Sequence, residues 1–299
     1  MRLMISLLLS TVAFGGLAKP FDKKRFGKKG SAQTKKGWDL CTSLEGKGSY
    51  FYLKPQGYIL GYLPDDHMIA SEGGWAPGTG AVIGLDIGKF DWRIDLEWSY
   101  SHANPYQSYS GPGIRSLIDT SSFTLAEQWL DMKVNRLLFL WSCEVNLFDR
   151  FKIRPKAGTE ALWLHQGRHL RYSSGGSSVD SFGKNNFSGF GSAGGMSVRY
   201  RLGRGFAWVG DSLFSLLWGK FHTRGTLSYD DTAVEPAVHL TSGLEWSNET
   251  KAGYMQIGAL YEVHHYFSQG QARYSTPLIQ PINTDFNASG PSLYLRVCF

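Results

Sequence analysis

The strongest constraint on this chain is a strict two-residue alternation. In residues 92–100, Trp-Arg-Ile-Asp-Leu-Glu-Trp-Ser-Tyr, every even position is apolar or aromatic and every odd position is charged or polar. A period of two is that of a β-strand, whose side chains point to opposite faces in turn. The pattern recurs in 80–88, 151–165, 237–246 and 289–299, and no helical pattern of useful length competes with it. We therefore predict an all-β fold.

The first 18 residues predict export. Arg2 precedes an apolar run from Leu3 to Phe14, and Gly16-Leu17-Ala18 provides the small residues that a signal peptidase requires. We expect residues 1–18 to be a signal peptide that is cleaved after Ala18. Since no apolar run reaches 18 residues, a helical membrane protein is excluded.

The excess of basic residues is confined to one segment. Residues 19–36 contain eight basic residues against Asp22 alone, whereas residues 37–299 carry 22 basic and 24 acidic residues. A nucleic-acid-binding protein would carry its basic residues on a folded surface, so we do not expect a nucleic-acid partner. We predict that residues 19–48 form a flexible basic segment in the periplasm; contact with anionic lipid or the cell wall is the alternative.

The connections between strands are alternately short and long. Short turns are predicted near residues 89–91, 148–150, 203–205 and 247–250, and longer Gly- and Ser-rich segments at about 63–79, 103–126, 166–185, 222–236 and 268–288. Outer-membrane barrels have short periplasmic turns and long outer loops. We therefore predict that residues 49–299 form a transmembrane antiparallel up-and-down β-barrel in a Gram-negative outer membrane, in contact with its lipid. Ten strands are expected, with twelve as the alternative: 49–62, 80–88, 91–102, 127–147, 151–165, 186–202, 206–221, 237–246, 251–267 and 289–299.

The spacing of aromatic residues fits a bilayer. Phe151 and Trp163 are twelve residues apart, which at about 3.3 Å per residue and a tilt of about 40° spans roughly 30 Å. Charged side chains in hydrocarbon would cost roughly 2–4 kcal/mol for a mid-depth arginine, so the charged face must line the interior. The predicted pore-lining residues are Asp86, Arg93, Asp95, Glu97, Lys152, Arg154, Lys156, Arg199 and Arg201.

The acids in this set lie on the second and third predicted strands and most of the bases on the fifth and sixth. Such opposed groups produce either a transverse field across a channel or salt bridges that plug a narrow barrel. Small eight-stranded barrels are filled by side chains, whereas porins of 16–18 strands are open. Ten strands therefore predict a tight or loop-gated passage.

Two motifs have simpler explanations than a cofactor. Gly189–Gly194 matches G-x-G-x-x-G, but an alternating strand follows it where a helix would be needed, so bends or close backbone approach explain the glycines better. His264 and His265 adjoin Glu262, and His165 lies near His169. Adjacent histidines on a strand face opposite ways, so we interpret these as loop or girdle histidines and predict neither metal nor cofactor.

An outer-membrane hydrolase is a third-ranked hypothesis. Asp65, Asp66 and His67, with Asp230 and Asp231, fall in predicted outer loops, where ten-stranded outer-membrane proteases carry carboxylate and histidine dyads. Asp65 and His67 form an Asp-x-His, but no Asp-x-Asp occurs to pair with it, as such a site requires. We therefore predict that the protein is not an enzyme.

Three cysteines lie towards the predicted periplasmic end: Cys41, Cys143 and Cys298. The first and last strands of a closed barrel are neighbours, so Cys41 and Cys298 are a possible disulfide, and the odd thiol would permit an intermolecular bridge. Buried or unpaired thiols remain the alternative.

Several blocks resemble a known family: residues 151–158, 185–191, 215–221, 261–262 and 266–269. They are similar to the Legionella-type pore-forming major outer-membrane proteins, a family also found among environmental relatives of the chlamydiae, and the likeness covers most of 49–299. The resemblance implies a β-barrel porin in an envelope where cysteine cross-linking is a recurring theme. The basic segment departs from the family pattern.

The C-terminal strand resembles the aromatic-terminated signal that the barrel-assembly machinery reads. Its alternating residues are Leu293, Leu295, Val297 and Phe299. The leading hypothesis is thus a porin for passive diffusion of small polar solutes or ions. The alternative is a structural or adhesive envelope barrel that acts through its loops and disulfides, as a homo-oligomer or with disulfide-linked partners.

Overall fold

A computed structural model describes residues 40–55, 58–87, 91–117, 121–225, 228–250, 253–272 and 282–298. The predicted signal peptide and residues 19–39 lie outside the described residues. Within the described part, no helix is long and apolar enough to cross a membrane. Its strands in chain order are β1 (Leu40–Pro55), β2 (Ile59–Tyr62), β3 (Met68–Ala70), β4 (Gly74–Ile87), β5 (Trp92–Ala103), β6 (Tyr106–Arg115), β7 (Ser122–Cys143), β8 (Val145–Phe148), β9 (Phe151–Ser174), β10 (Ser177–Gly203), β11 (Phe206–Arg224), β12 (Tyr229–Thr250), β13 (Gly253–Ala272) and β14 (Ile282–Cys298).

Ten of these strands close into a barrel. Each pairs antiparallel with the next, in the order β1, β4, β5, β7, β9, β10, β11, β12, β13 and β14. The ring is completed by β14 pairing with β1, with Ser43 opposite Cys298 and Ser49 opposite Ser292. The predicted antiparallel barrel of ten strands is confirmed. We call the end with the short turns the periplasmic end and the opposite end the outer end, following the usual topology.

The alternation sorts the side chains as predicted. On β5, Arg93 is 2% exposed, whereas its outward neighbours Leu96 and Trp98 are 42% and 40% exposed. Other strands present apolar side chains to the outside in the same way, and Trp92 and Trp141 meet near the periplasmic end with ring centroids 4.8 Å apart. The outer wall is thus an apolar band of the kind that contacts acyl chains. Further exposed members of this band are Ile83, Leu85, Leu137, Phe139, Phe190, Phe214, Leu240, Leu244, Ile257, Leu293 and Leu295.

Several strands extend beyond their predicted bounds. β1 begins at Leu40 rather than at residue 49, so Cys41 lies within the strand rather than before it. Gly46 and Gly48 occupy outward positions of β1, so the sequence there lacks the alternating apolar residues from which a strand is predicted. The predicted loop 166–185 is mostly strand, since β9 and β10 continue to a two-residue turn.

That turn is formed by Gly175 and Gly176, whose φ angles of 58° and 91° are both positive. Two central residues with positive φ are what a type I′ hairpin turn requires, and glycine adopts them without strain. The outer connection between β9 and β10 is therefore a long hairpin that extends the barrel wall.

Candidate functional site: the barrel interior

The interior near the periplasmic end contains an open space of about 230 Å³, which we call the polar cavity. Seven of the nine predicted pore-lining residues border it: Arg93, Asp95, Glu97, Lys152, Arg154, Lys156 and Arg199. Asp86 lies beside them and accepts a hydrogen bond from Arg93 at 2.8 Å. Arg201 is exposed at the periplasmic rim. The inward positions of β4, β5, β9 and β10 thus converge on one space.

Arg93 shows how these charges are accommodated. Its guanidinium contacts Asp86 at 2.8 Å and Asp95 at 2.7 Å, and it also donates to the Ser43 hydroxyl at 2.9 Å. A buried charge is tolerated when its hydrogen bonds are satisfied by such partners. The charge is therefore balanced within its own neighbourhood.

The other cations bordering the polar cavity are also paired. Arg136 contacts Glu97 at 2.7 Å, and the remaining pairs are Lys47–Glu262 (2.6 Å), Arg154–Glu144 (2.8 Å), Arg199–Glu245 (2.5 Å), Arg296–Glu45 (2.5 Å), Lys152–Glu144 and Lys156–Asp211. Of the two arrangements open at the sequence level, the geometry matches local salt bridges rather than opposed charged walls. The acids Glu144, Asp211 and Glu245, which neutralise the basic wall, are not among the residues predicted from the sequence.

The interior towards the outer end is apolar. A cluster of buried side chains, which we call the apolar layer, receives at least one residue from each of the ten ring strands. Leu53, Leu162, Leu217, Phe221 and Phe286 are each fully buried. Because apolar side chains from every ring strand are buried against one another, this layer closes the lumen at that level. The layer comprises Phe51, Leu53, Tyr58, Ala76, Ala103, Leu130, Met132, Val134, Leu162, Leu164, Phe187, Leu217, Phe221, Ala237, Tyr266, Phe286 and Ala288.

A cap covers the outer end. Residues 58–71, which include β2 and β3, pack against the inward faces of β7 and β9 through a second apolar cluster that includes Leu60 and Tyr172. The Tyr172 hydroxyl donates to the Leu60 carbonyl at 2.6 Å, and Gln128 donates to the Ser71 hydroxyl at 2.5 Å. Residues 58–71 are thus folded inward over the mouth of the barrel.

Two buried histidines lie between the polar cavity and the apolar layer. The Nδ1 atoms of His239 on β12 and His264 on β13 are 2.9 Å apart, and we call these residues the histidine pair. His239 Nε2 lies 3.1 Å from both carboxylate oxygens of Glu160, and His264 Nε2 lies 3.2 Å from Glu262 Oε2. Together they form a chain of hydrogen bonds across the lumen.

For His264 the loop-or-girdle interpretation is wrong, because this residue is buried in the barrel interior. His265 does face outward, where it contacts Asn287 and, at 3.1 Å, Asp285. The two-residue alternation of the sequence indicates that the residues around the histidine pair face inward. Glu160 shares the inward parity of Lys152, Arg154 and Lys156, and His264 shares that of Glu262.

The residues of the hydrolase hypothesis lie at the outer end. Asp65 and His67 form an exposed pair in the cap, 3.0 Å apart, and Asp66 contacts Arg115. The His67 backbone N–H donates to the Asp65 carboxylate, and this hydrogen bond holds the pKa of Asp65 below its ordinary value. Asp65 is therefore a weaker general base. Asp230 contacts His222 at 3.1 Å and Arg224 at 3.2 Å.

Cys41 and Cys298 form a disulfide with Cα atoms 6.3 Å apart, and Cys143 is a half-buried free thiol. The bond joins β1 to β14 at the seam that closes the barrel. The Asp86 carboxylate lies close to both sulfur atoms, which are bonded to each other rather than present as the thiolates that bind metal.

The C-terminal signal and the glycine motif both lie in the barrel wall. Leu293 and Leu295 point outward on β14, Val297 is half-buried, and Phe299 lies outside the described residues. In the glycine motif, a Cβ atom added at Gly191 would lie 1.7 Å from the Leu216 carbonyl oxygen. The backbones of β10 and β11 therefore approach too closely there for any side chain.

Known proteins share this architecture. The model of the family described as the Legionella pneumophila major outer membrane protein precursor matches residues 80–299. No curated protein matches the chain. The outer membrane protease OmpT of Escherichia coli is similar in structure over 87% of this chain and 97% of its own, with 11% identity and a TM-score of 0.53.

Two further solved structures match with low TM-scores. A major outer membrane protein of Thermus thermophilus is similar over 87% of this chain and 99% of its own, with 11% identity and a TM-score of 0.36. The toluene transporter TodX of Pseudomonas putida is similar over 87% and 89%, with 10% identity and a TM-score of 0.28. At these identities the likeness to OmpT shows a common fold alone.

Proposed function

Because the chain belongs to the Legionella pneumophila major outer membrane protein family, we propose that it is a porin through which small polar solutes or ions diffuse passively. The protein is an outer-membrane β-barrel whose apolar outer wall contacts lipid. The observation that carries the proposal is the polar cavity. Ionised groups around open space are costly unless water reaches them, and packed apolar residues would stabilise a purely structural barrel better.

The passage would be restricted rather than wide. Solutes entering from the periplasmic end meet charged side chains first and the apolar layer next. A hydrophobic constriction gates a channel by excluding water, so conduction requires this layer to part. We therefore expect rare openings of small conductance.

Planar-bilayer recording of the refolded mature protein tests this proposal. Replacing Lys152, Arg154 and Lys156 by glutamate should shift the reversal potential towards cation preference, because these residues border the polar cavity. Lys54→Glu is a matched control, since Lys54 is exposed near the outer end. The absence of discrete conductance steps at any voltage would refute the pore, and an unchanged reversal potential would refute the lumen assignment.

A structural envelope barrel is the second candidate, and a specific observation favours it. The apolar layer receives side chains from all ten ring strands, the cations around the polar cavity are paired with carboxylates, and a disulfide ties the first ring strand to the last. Such a barrel would act through its outer surface and through Cys143, the free thiol, as a homo-oligomer or bonded to an envelope partner.

Gel mobility under reducing and non-reducing conditions separates this candidate from the porin. Covalent oligomers in native membranes that disappear on reduction and in Cys143→Ser would favour the envelope role. A monomer under both conditions would count against it.

The same preparations would show whether the C-terminal strand is read by the barrel-assembly machinery, because a Phe299→Ser chain should then accumulate in the periplasm.

A further inference from the structure

The hydrogen bonds around the histidine pair determine where its protons lie. Arg136 Nη1 lies 3.5 Å from His264 Nδ1, and the fixed positive charge of this guanidinium favours a lone pair rather than a proton on that nitrogen. The bond between the two Nδ1 atoms is therefore donated by His239. His264 keeps its proton on Nε2, where it donates to Glu262.

His239 also donates at its other nitrogen. Nε2 faces both oxygens of Glu160, and this carboxylate already accepts a hydrogen bond from the Ser215 hydroxyl. His239 thus carries protons on both nitrogens and is an imidazolium, whereas His264 is neutral. One positive charge is held between two carboxylates, and Glu262 is paired in addition with Lys47 at 2.6 Å.

A second proton can enter the histidine pair at one place, the lone pair on His264 Nδ1. Two imidazolium rings would then face each other across 2.9 Å beside the Arg136 guanidinium, and neither ring would retain an acceptor for the bond that joins them. The charged and titratable groups that face the pair are Lys47 on β1, Glu97 on β5, Arg136 on β7, Glu160 on β9, and Glu262 and Tyr266 on β13.

The histidine rings also support the apolar layer. Phe51 packs edge-on against His264 with ring centroids 5.4 Å apart, and Tyr266 packs against His239 at the same distance. Tyr266 in turn contacts Phe286. Phe51, Tyr266 and Phe286 belong to the apolar layer, so separation of the histidine rings would displace the side chains that close the lumen.

We propose that the histidine pair is a proton-operated latch: a second proton separates the two rings and opens the apolar layer next to them. The inference rests on the proposed pore function. Because the separated state binds that proton and the joined state does not, acid shifts the equilibrium towards opening. The direction is fixed by the geometry, since the bond between the rings needs a free lone pair.

Bilayer conductance at two pH values tests the latch in the full mature chain. Between about pH 7.5 and about pH 4.5, we expect open probability to rise roughly tenfold in the wild type and to change less than twofold in His264→Gln and His239→Gln. His265→Gln is the matched control, because the adjacent residue faces outward, and it should keep the wild-type response. Heat-modifiable gel mobility verifies that each variant is folded.

The outcomes separate the latch from the pore. A protein that conducts at neither pH refutes the pore and the latch together. A pore whose response to acid is the same in His264→Gln as in the wild type overturns the latch and leaves the pore intact.

Nitrogen NMR of histidine-labelled protein adds a readout that needs no conduction, since at neutral pH one ring of the pair should be doubly protonated. Two neutral rings at neutral pH would overturn the proton assignment.

Discussion

Arg93 illustrates at the residue scale why ionised groups persist inside the barrel. It bridges Asp86 and Asp95 while 2% exposed, so its removal would leave two carboxylates without their counter-charge. Arg93→Met should lower the free energy of unfolding by about 3–5 kcal/mol, the usual cost of breaking a buried pair. Urea unfolding in lipid vesicles measures this. Arg201→Met, at the exposed rim, is the control, and equal losses in both variants would contradict the assignment.

Gly191 allows a second prediction at this scale. Because a Cβ there would overlap the Leu216 carbonyl, Gly191→Ala should force the backbones of β10 and β11 apart at a cost of about 1–3 kcal/mol. Gly183→Ala, on the same strand, has open space around its Cβ and should fold normally. The yield of heat-modifiable barrel after refolding measures both. Equal yields would show that the strands do not approach as described.

At the scale of elements, the seam between β1 and β14 closes the barrel. The Cys41–Cys298 disulfide lies at its periplasmic end, so reduction, or the double change Cys41→Ser and Cys298→Ser, should destabilise the barrel by about 2–5 kcal/mol. Thermal unfolding with and without reductant measures the effect. Cys143→Ser should melt like the wild type and retain its sensitivity to reductant; insensitivity of the wild type would contradict the bond.

The strands also show what the sequence could and could not predict. β5 alternates without exception from Trp92 to Tyr100, and its inward face and its bounds, to within one residue, are predictable from period two alone. β1 was predicted too short because glycine occupies two of its outward positions. The sequence predicts a loop at the β9–β10 hairpin because its outward side chains there, apart from Phe182, are polar or glycine, and this composition is shared by loops and solvated strands.

At the scale of the whole molecule, the interior has two compartments that the alternation does not distinguish. The polar cavity follows from inward charges, which the pattern reveals. The apolar layer is not predictable in this way. A strand with apolar side chains on both faces, as at Leu162, Trp163 and Leu164, loses the alternation that distinguishes its inward face. Salt bridges are one of the two arrangements that the sequence predicts, but their partners are not predictable, since residues such as Arg136 and Glu97 are brought together by strand register rather than by spacing in sequence.

The two compartments allow a direct test of the central proposal, that the lumen is a pore held closed by the apolar layer. Leu217 and Phe221 are fully buried in that layer on β11. Bilayer conductance of a variant with Leu217→Ser and Phe221→Ser, beside the wild type in the same salt, is the most direct measurement. We predict conductance several-fold above the wild type, because the constriction then admits water. A correctly folded variant that conducts no more than the wild type would contradict the claim.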